Sequence, residues 1–94
     1  MKKFIMLSIL TEKGAKTIKQ KPERIREVNK EVEKMGGKIL VQYAILGPFD
    51  FLTIIEVDDE KVAAKISLEF AQRGTVKITT YPALDIDDFI NKIK

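Results

Sequence analysis

The strand-like segments of this 94-residue chain are apolar on both of their alternating faces. Side chains along a β-strand point alternately to opposite faces of the sheet, so a strand with one wet face alternates between apolar and polar residues. The segment Phe4–Leu10 departs from this rule, because only Ser8 interrupts its apolar residues. Segments 38–46 and 51–57 are also mostly apolar on both alternating sets. The sequence therefore predicts a sheet that is buried on both faces.

Two helices separate these strands from one another and from a fourth strand. The first is predicted to begin at Pro22, which suits the first helical position, and the Gly-Gly pair at 36–37 ends it. Between these points apolar residues recur at steps of three and four. Asp58 or Asp59 is expected to cap the second helix, and Gly74 to end it.

The remaining segments complete a recognisable element order. Thr11–Lys16 predicts a turn, which could continue as a brief helical turn through Ile18. Thr75–Tyr81 is the fourth strand, which Pro82 closes, and residues 85–94 form a tail helix with an apolar stripe. The order β-α-β-β-α-β plus a C-terminal helix predicts an α+β fold of the ferredoxin-like split-βαβ type, with an antiparallel four-stranded sheet.

An apolar sheet face without a cover predicts self-association. Both helices of this topology lie on one face of the sheet, which leaves the other face bare in a monomer. An apolar bare face marks a partner surface, and stacking two sheets about a two-fold axis covers it. We therefore expect residues 1–94 to form a single domain that assembles as a homodimer. A ten-residue tail helix is too short to cover four strands. Its apolar stripe is too large to face water, so we expect the helix to dock on its own domain or on a neighbour.

Composition removes several classes of function. The chain has no cysteine and no histidine, the residues that supply disulfides, thiolate metal sites and most zinc, iron and haem ligands. We therefore expect no metal and no cofactor. Charged residues make up 33% of the chain, and this Lys- and Glu-rich balance is typical of proteins adapted to heat. No segment is long enough to span a bilayer, so we expect a cytoplasmic protein.

The charge pattern argues against nucleic-acid binding. The net charge of +3 is mild for a protein that contacts a phosphate backbone. Basic residues between Lys13 and Lys38 interleave with glutamates, and no aromatic residue lies among them to stack on bases.

Loops at one end of the predicted sheet supply candidate ligand-binding residues. In the split-βαβ topology the loop after the first strand shares an end with the hairpin between the second and third strands. We therefore expect Thr11 and Lys13 to lie near Gly47 and Asp50. Such residues are also common in turns, where they supply backbone freedom, capping and solubility, and this structural interpretation is the favoured one.

Polar side chains within the strands are a second set of candidates. Ser8, Gln42, Tyr43 and Thr53 could line a pocket between the sheet and the helices or between paired sheets, or could each satisfy a neighbour. If the assembly binds a ligand, we expect Tyr43 and Thr53 to line one cavity. Strict alternation in the segment 38–46 also puts four residues on one side of the sheet: Ile39, Val41, Tyr43 and Ile45.

Short motifs at the ends of the elements recur in a fixed order along the chain. They are Thr11-Glu12-Lys13-Gly14, Pro22, Gly36-Gly37-Lys38, Gly47-Pro48-Phe49-Asp50-Phe51 and Gly74-Thr75-Val76. In this order and spacing the chain resembles the GYD domain family over most of its length. That family takes its name from a Gly-Tyr-Asp-type signature at the hairpin. Here Gly47 and Asp50 match it, Pro48 intervenes, and Phe49 stands where tyrosine would.

The resemblance implies a dimeric α+β barrel and no established activity, because the family consists of small bacterial and archaeal proteins of unknown function. The leading interpretation is a non-catalytic, self-associating module that binds a small metabolite at a rim or between subunits. The ligand-binding candidates are Thr11, Lys13, Tyr43, Gly47, Asp50 and Thr53.

Two alternatives stay open from the sequence. One is a cofactor-independent enzyme of the dimeric-barrel type, with Tyr43, Asp50 or Lys13 as acid–base groups; the absence of histidine weighs against it. The other is a structural protein that builds higher oligomers through its tail helix.

Overall fold

The computed structural model describes all 94 residues as four strands and four helices. In chain order they are β1 (Lys2–Leu10), α1 (Glu12–Gln20), α2 (Arg24–Lys34), β2 (Lys38–Ala44), β3 (Phe51–Val57), α3 (Glu60–Ala71), β4 (Val76–Ala83) and α4 (Ile86–Ile93). The strands form one antiparallel sheet in the order β2-β3-β1-β4. This is the predicted ferredoxin-like α+β arrangement with one additional helix, α1.

The segment after β1 forms a nine-residue helix, so the predicted turn is wrong. Thr11 caps this helix, because its Oγ1 accepts a hydrogen bond from the Gly14 N–H at 3.1 Å. Gly14 is buried, and a Cβ atom at this position would overlap the carbonyl oxygen of Thr75. Glycine is therefore needed here for the close approach of α1 to the start of β4.

Helix α2 begins at Arg24, two residues later than predicted. Pro22 lies in the preceding turn, where its carbonyl accepts a hydrogen bond from the Ile25 N–H at 3.2 Å. The end of the helix is confirmed, because Gly36 has a φ of 104° and adopts the left-handed conformation that glycine favours.

Two other features of the predicted elements have clear physical causes. Asp59 caps α3, because its side chain accepts a hydrogen bond from the Lys61 N–H at 2.8 Å. Strand β4 continues through Pro82 to Ala83 instead of ending before the proline. It is an edge strand, where a residue without an N–H is tolerated.

A β-bulge at Leu40 changes which residues of β2 share a face. Ile39 pairs with the buried Ile55, whereas Val41 pairs with Ile54. Neighbouring residues of β3 point to opposite faces, so Ile39 faces the helices and Val41 faces away from them. The predicted alternation, which put both residues on one side, is wrong for this strand.

The connection between β2 and β3 is longer than the predicted hairpin, because β2 ends at Ala44. The Ile45 N–H donates to the Asp50 carbonyl at 2.8 Å, which closes the base of the loop. Within this loop Gly47 has a φ of 140°, a backbone conformation that residues other than glycine rarely adopt.

The core lies between one face of the sheet and helices α2 and α3. Only nine of the 94 residues are buried, which is a thin core for a chain of this length. The buried apolar side chains are Met6, Val32, Ile55, Val57, Ala63, Ile66 and Phe70.

Candidate functional site

The sheet face opposite α2 and α3, here called the open face, carries a continuous apolar patch. Its apolar residues are Ile5, Leu7, Ile9, Val41, Tyr43, Leu52, Ile54 and Tyr81. The register brings them together: Ile5 pairs with Ile54 on one side and Tyr81 on the other, and Leu7 pairs with Leu52. Tyr81 is 48% exposed at its edge. The patch is larger than scattered surface residues would produce.

The polar strand residues divide between the two faces of the sheet. Thr53 pairs with the buried Met6 and with Gln42, which places it on the face that the helices cover. Tyr43 pairs with Leu52 on the open face and is 62% exposed. Tyr43 and Thr53 therefore lie on opposite faces of the sheet, and no cavity within one protomer is lined by both.

A cavity of about 170 Å³ lies between the covered face of the sheet and the helices α1, α2 and α3. Most of its wall is apolar, with Ile25 and Val28 from α2 and Phe51 from β3. Three of the polar strand residues line it: Ser8, Gln42 and Thr53. A largely apolar pocket with a few convergent polar groups is the usual form of a small-molecule site.

Three polar side chains of the cavity, Asn29, Gln42 and Thr53, form a hydrogen-bonded cluster. The side-chain amides of Asn29 and Gln42 exchange two hydrogen bonds, at 2.7 and 3.1 Å. Gln42 Nε2 also donates to Thr53 Oγ1 at 3.2 Å. The Thr53 hydroxyl keeps its own proton free to donate to a further acceptor.

An ion-pair network closes the side of the cavity where α2 meets the end of α3. Its members are Lys21, Arg24, Glu27, Glu31, Glu69 and Arg73, three bases and three acids. Arg73 pairs with Glu31 at 2.6 Å and with Glu69 at 3.0 Å, and its guanidinium lies 4.5 Å from the centre of the Phe70 ring. Arg24 and Arg73 both line the cavity.

These ion pairs shift the pKa values of Glu27, Glu31 and Arg73 in the expected directions. The hydrogen bond from Arg73 lowers the pKa of Glu31 and raises the pKa of Arg73 itself. Hydrogen bonds from Lys21 and then Arg24 lower the pKa of Glu27. Glu27, Glu31 and Arg73 are therefore charged near neutral pH.

The loops at one end of the sheet do come together, through hydrogen bonds to the backbone. Thr11 Oγ1 donates to the Gly74 carbonyl at 2.8 Å. The Asp50 carboxylate accepts a hydrogen bond from the Leu10 N–H at 2.7 Å, and the Asp50 N–H donates to the Ser8 carbonyl at 2.8 Å. Thr11 and Asp50 thus hold adjacent loops in place.

The other two rim candidates, Lys13 and Gly47, make no contact that indicates a ligand. Lys13 is exposed and lines a shallow polar groove with Thr11 and Lys16. Gly47 is exposed, with open space around it. Of the acid–base candidates, Tyr43 lies on the open face, while the Asp50 carboxylate binds a backbone N–H at the rim.

Helix α4 extends from β4 with its apolar stripe exposed. Phe89 and Ile90 are 46% and 40% exposed, and Ile86 and Ile93 are each 67% exposed. The segment is tethered at its start, where Lys3 Nζ on β1 lies 2.7 Å from the Asp85 carboxylate. This contact raises the pKa of Lys3. Much of the stripe is therefore exposed in the single chain.

Asn29 lines the cavity but is not among the site residues predicted from the sequence. It lies four residues after Ile25 and three before Val32, so helical periodicity places it on the apolar stripe of α2. An amide on an otherwise apolar stripe is a signal that can be read from the sequence. Arg24 and Arg73 reach the cavity wall through tertiary packing, and the sequence around them does not indicate this.

The structure has neither a cluster of metal-ligating side chains nor a membrane-spanning helix. No group of three or more carboxylate side chains is placed to hold a metal ion. None of the four helices combines the length and the apolar character required to cross a bilayer.

Comparison with known proteins agrees with the resemblance in the motifs. The model of the GYD domain matches residues 4–93. A protein of Thermus thermophilus, named glutamine synthetase and cystathionine beta-lyase binding protein, is 44% identical over 95 residues, which cover the whole of both chains. No solved structure matches the chain. The matched length and the full-length relative establish that the chain belongs to the GYD domain family.

Proposed function

We propose that this chain is a non-catalytic binding module that pairs with a second copy through its open face and docks onto other proteins. The observation that carries the proposal is the apolar patch on the open face, which α2 and α3 do not cover. An antiparallel sheet that faces water carries alternating polar residues instead. A two-fold dimer that stacks sheet on sheet is the simplest closed assembly that buries the patch on both copies.

The thin core supports the same proposal. A domain of this size is only marginally stable when it buries a small part of its apolar surface. Pairing through the open face adds buried apolar surface to a fold with nine buried residues. Charged residues lie at one end of this face, where Lys3 and Lys38 both pair with Glu56. An apolar centre with a charged border is the usual anatomy of a protein interface.

A pair of leucine-to-lysine variants tests the self-association. Leu52 lies on the open face, whereas Leu68 is 72% exposed on α3. Leu52→Lys is expected to raise the dimer dissociation constant by about 100-fold or more, because pairing would bury an unpaired charge. Leu68→Lys is expected to leave it unchanged. Sedimentation equilibrium of both variants gives the answer, and equal dissociation constants would contradict the proposed interface.

Docking onto other proteins is proposed from the relative, whose name describes binding to two enzymes. A dimer formed through the open face leaves the stripe of α4 as a further exposed apolar surface, with Phe89 and Ile93 on it. We assign the partner contact to this stripe. A cytoplasmic location stays a prediction from the sequence.

Titration with purified glutamine synthetase and cystathionine beta-lyase, both from the organism that encodes this chain, tests this contact. We expect at least one of them to bind the unaltered chain, and Phe89→Ser with Ile93→Ser to abolish that binding while the dimer persists. Leu68→Ser, which alters an exposed apolar residue on α3, is the control. If neither enzyme binds in isothermal titration calorimetry, the docking proposal is wrong for these partners.

The cavity adds a small-molecule site to this module. Its apolar wall and the Asn29–Gln42–Thr53 cluster support the binding of a small metabolite within each protomer. The Leu10 N–H already engages Asp50, and the Gly14 N–H engages Thr11, so we place the ligand in the cavity rather than at the rim.

A further inference from the structure

The size of the cavity limits what it holds. At about 170 Å³ it is slightly larger than the volume of roughly 150 Å³ that accommodates benzene in an apolar protein interior. Such a space fits one ring, or a branched chain of similar volume, with one small substituent. Apolar side chains supply most of the wall, including Ile25, Val28 and Ile39.

The polar side chains around Thr53 limit the hydrogen bonds that a ligand can form at this part of the cavity. The Asn29 and Gln42 amides use one donor and one acceptor each on one another. Thr53 Oγ1 receives the second proton of the Gln42 amide and still has a proton to donate. Ser8, on the same face of the neighbouring strand, adds a second hydroxyl. These groups suit a ligand with one hydroxyl or carbonyl group.

The charged wall of the cavity argues against an ionic ligand. Both arginines that line it are already paired, Arg73 with Glu31 and Glu69, and Arg24 with Glu27 and Glu31. With Lys21 the network holds equal numbers of acids and bases. An anion would have to displace a glutamate, and a cation would have to break an arginine pair. Burying an unpaired charge in an apolar space is costly.

We infer that the cavity binds an uncharged, compact molecule of one-ring size that carries a single hydroxyl, carbonyl or carboxamide group. The apolar body contacts the α2 side of the cavity and the polar group bonds to Thr53. This inference rests on the proposed function, because it names the ligand class of the small-molecule site in the module.

Four probes with one ring each separate the ligand classes: phenol, toluene, benzoate and benzylammonium. We expect phenol to bind about five-fold or more tightly than toluene, since one net hydrogen bond contributes that factor. Benzoate and benzylammonium are expected to bind at least about ten-fold more weakly than phenol. The dissociation constants are measured by calorimetry or by chemical-shift titration. No binding of any probe at millimolar concentration, or benzoate as the tightest ligand, would overturn the inference.

A pair of threonine-to-valine variants locates the hydrogen bond. Thr53 lines the cavity, whereas Thr79 pairs with Leu7 on the open face. Thr53→Val is expected to bring the affinity for phenol down to that for toluene, and Thr79→Val to preserve the difference. Equal effects of the two variants would overturn the placement. The order of the probes on the unaltered protein decides the question even if Thr53→Val does not fold.

The assembly state is read from the same samples by light scattering. A dimer that binds none of the probes overturns this inference and leaves self-association intact. A monomer that binds phenol overturns self-association and leaves this inference intact.

Discussion

Gly14 sets the distance between α1 and the start of β4. Its missing side chain lets the helix lie against the backbone of Thr75, whose carbonyl also accepts the Thr11 N–H at 3.0 Å. Glycine usually weakens a helix relative to alanine, by about 1 kcal/mol. Its presence in α1 is explained by the contact with β4, because that contact leaves no space for a methyl group.

Gly14→Ala is therefore expected to destabilise the protein despite its better helix propensity. The displaced contact should cost about 1–3 kcal/mol, which exceeds the propensity gain. For a domain of this size we expect the melting temperature to fall by about 4–8 °C for each kcal/mol of net loss. Ala15→Gly in the same exposed helix is the control for propensity alone. A Gly14→Ala variant that melts higher than the unaltered protein would show that α1 does not pack this closely.

Asp50 illustrates a rim residue with a structural role. Its carboxylate accepts the Leu10 N–H, which joins the β2–β3 loop to the end of β1. Asp50→Ala is expected to lower the free energy of unfolding by about 1–3 kcal/mol, because a backbone donor loses its partner. Asp50→Asn retains an acceptor and should cost less. Chemical denaturation of both variants checks this, and unchanged stability of Asp50→Ala together with lost ligand binding would instead show a functional role.

Residue roles could be predicted from sequence where they depend on local chemistry. The cap formed by Asp59 and the positive φ at Gly36 follow from residue type and position. The role of Gly14 could not be predicted, because the residue that it contacts is distant in sequence. The same holds for the opposite orientations of Tyr43 and Thr53, which depend on the register of β2.

At the scale of elements, the ion-pair network joins α2 to Arg73, just beyond the end of α3. Glu31 has a pKa below its ordinary value because of Arg73, so the folded protein binds its proton less tightly than the unfolded chain does. Its contribution to stability is therefore fully present above the unfolded pKa of about 4.3. It is lost as the pH falls through the lower pKa of the folded state.

Acid denaturation is expected to report this contribution. Between about pH 5 and pH 3 the unaltered protein should lose more stability than Glu31→Gln, and the two should converge at the acid end. Melting temperatures measured by circular dichroism across this range provide the comparison. Glu33→Gln, which changes an exposed glutamate of the same helix, should follow the unaltered protein. Parallel curves for Glu31→Gln and the unaltered protein would contradict the role assigned to this pair.

Elements with strong periodicity were predicted, and those without it were missed. Helix α2 has an apolar stripe through Val28, Val32 and Met35, and its existence is confirmed. Helix α1 has too few apolar residues for a stripe, so only the Thr11 cap indicates it. The bulge at Leu40 is not apparent in the sequence, because Ile39, Leu40 and Val41 are all apolar and give no sign of which face each occupies.

For the whole molecule, the decisive property is how much apolar surface the single chain leaves exposed. The sequence predicted the fold and the two apolar faces of its sheet, because both follow from element order and strand composition. It offered Ser8, Gln42 and Thr53 for a pocket between the sheet and the helices, as one of two placements, and all three line the cavity. The contribution of α1 to the wall could not be predicted, because α1 itself was not predicted. The proposed dimer accounts for the open face, and the proposed partner contact accounts for α4.

The molecular mass in solution tests the dimer most directly. One chain has a mass of 10.7 kDa. We predict that sedimentation equilibrium of the unaltered protein at micromolar concentration gives twice this mass, because two open faces bury one another. A mass of one chain under these conditions would contradict the account, since the apolar patch would then face water.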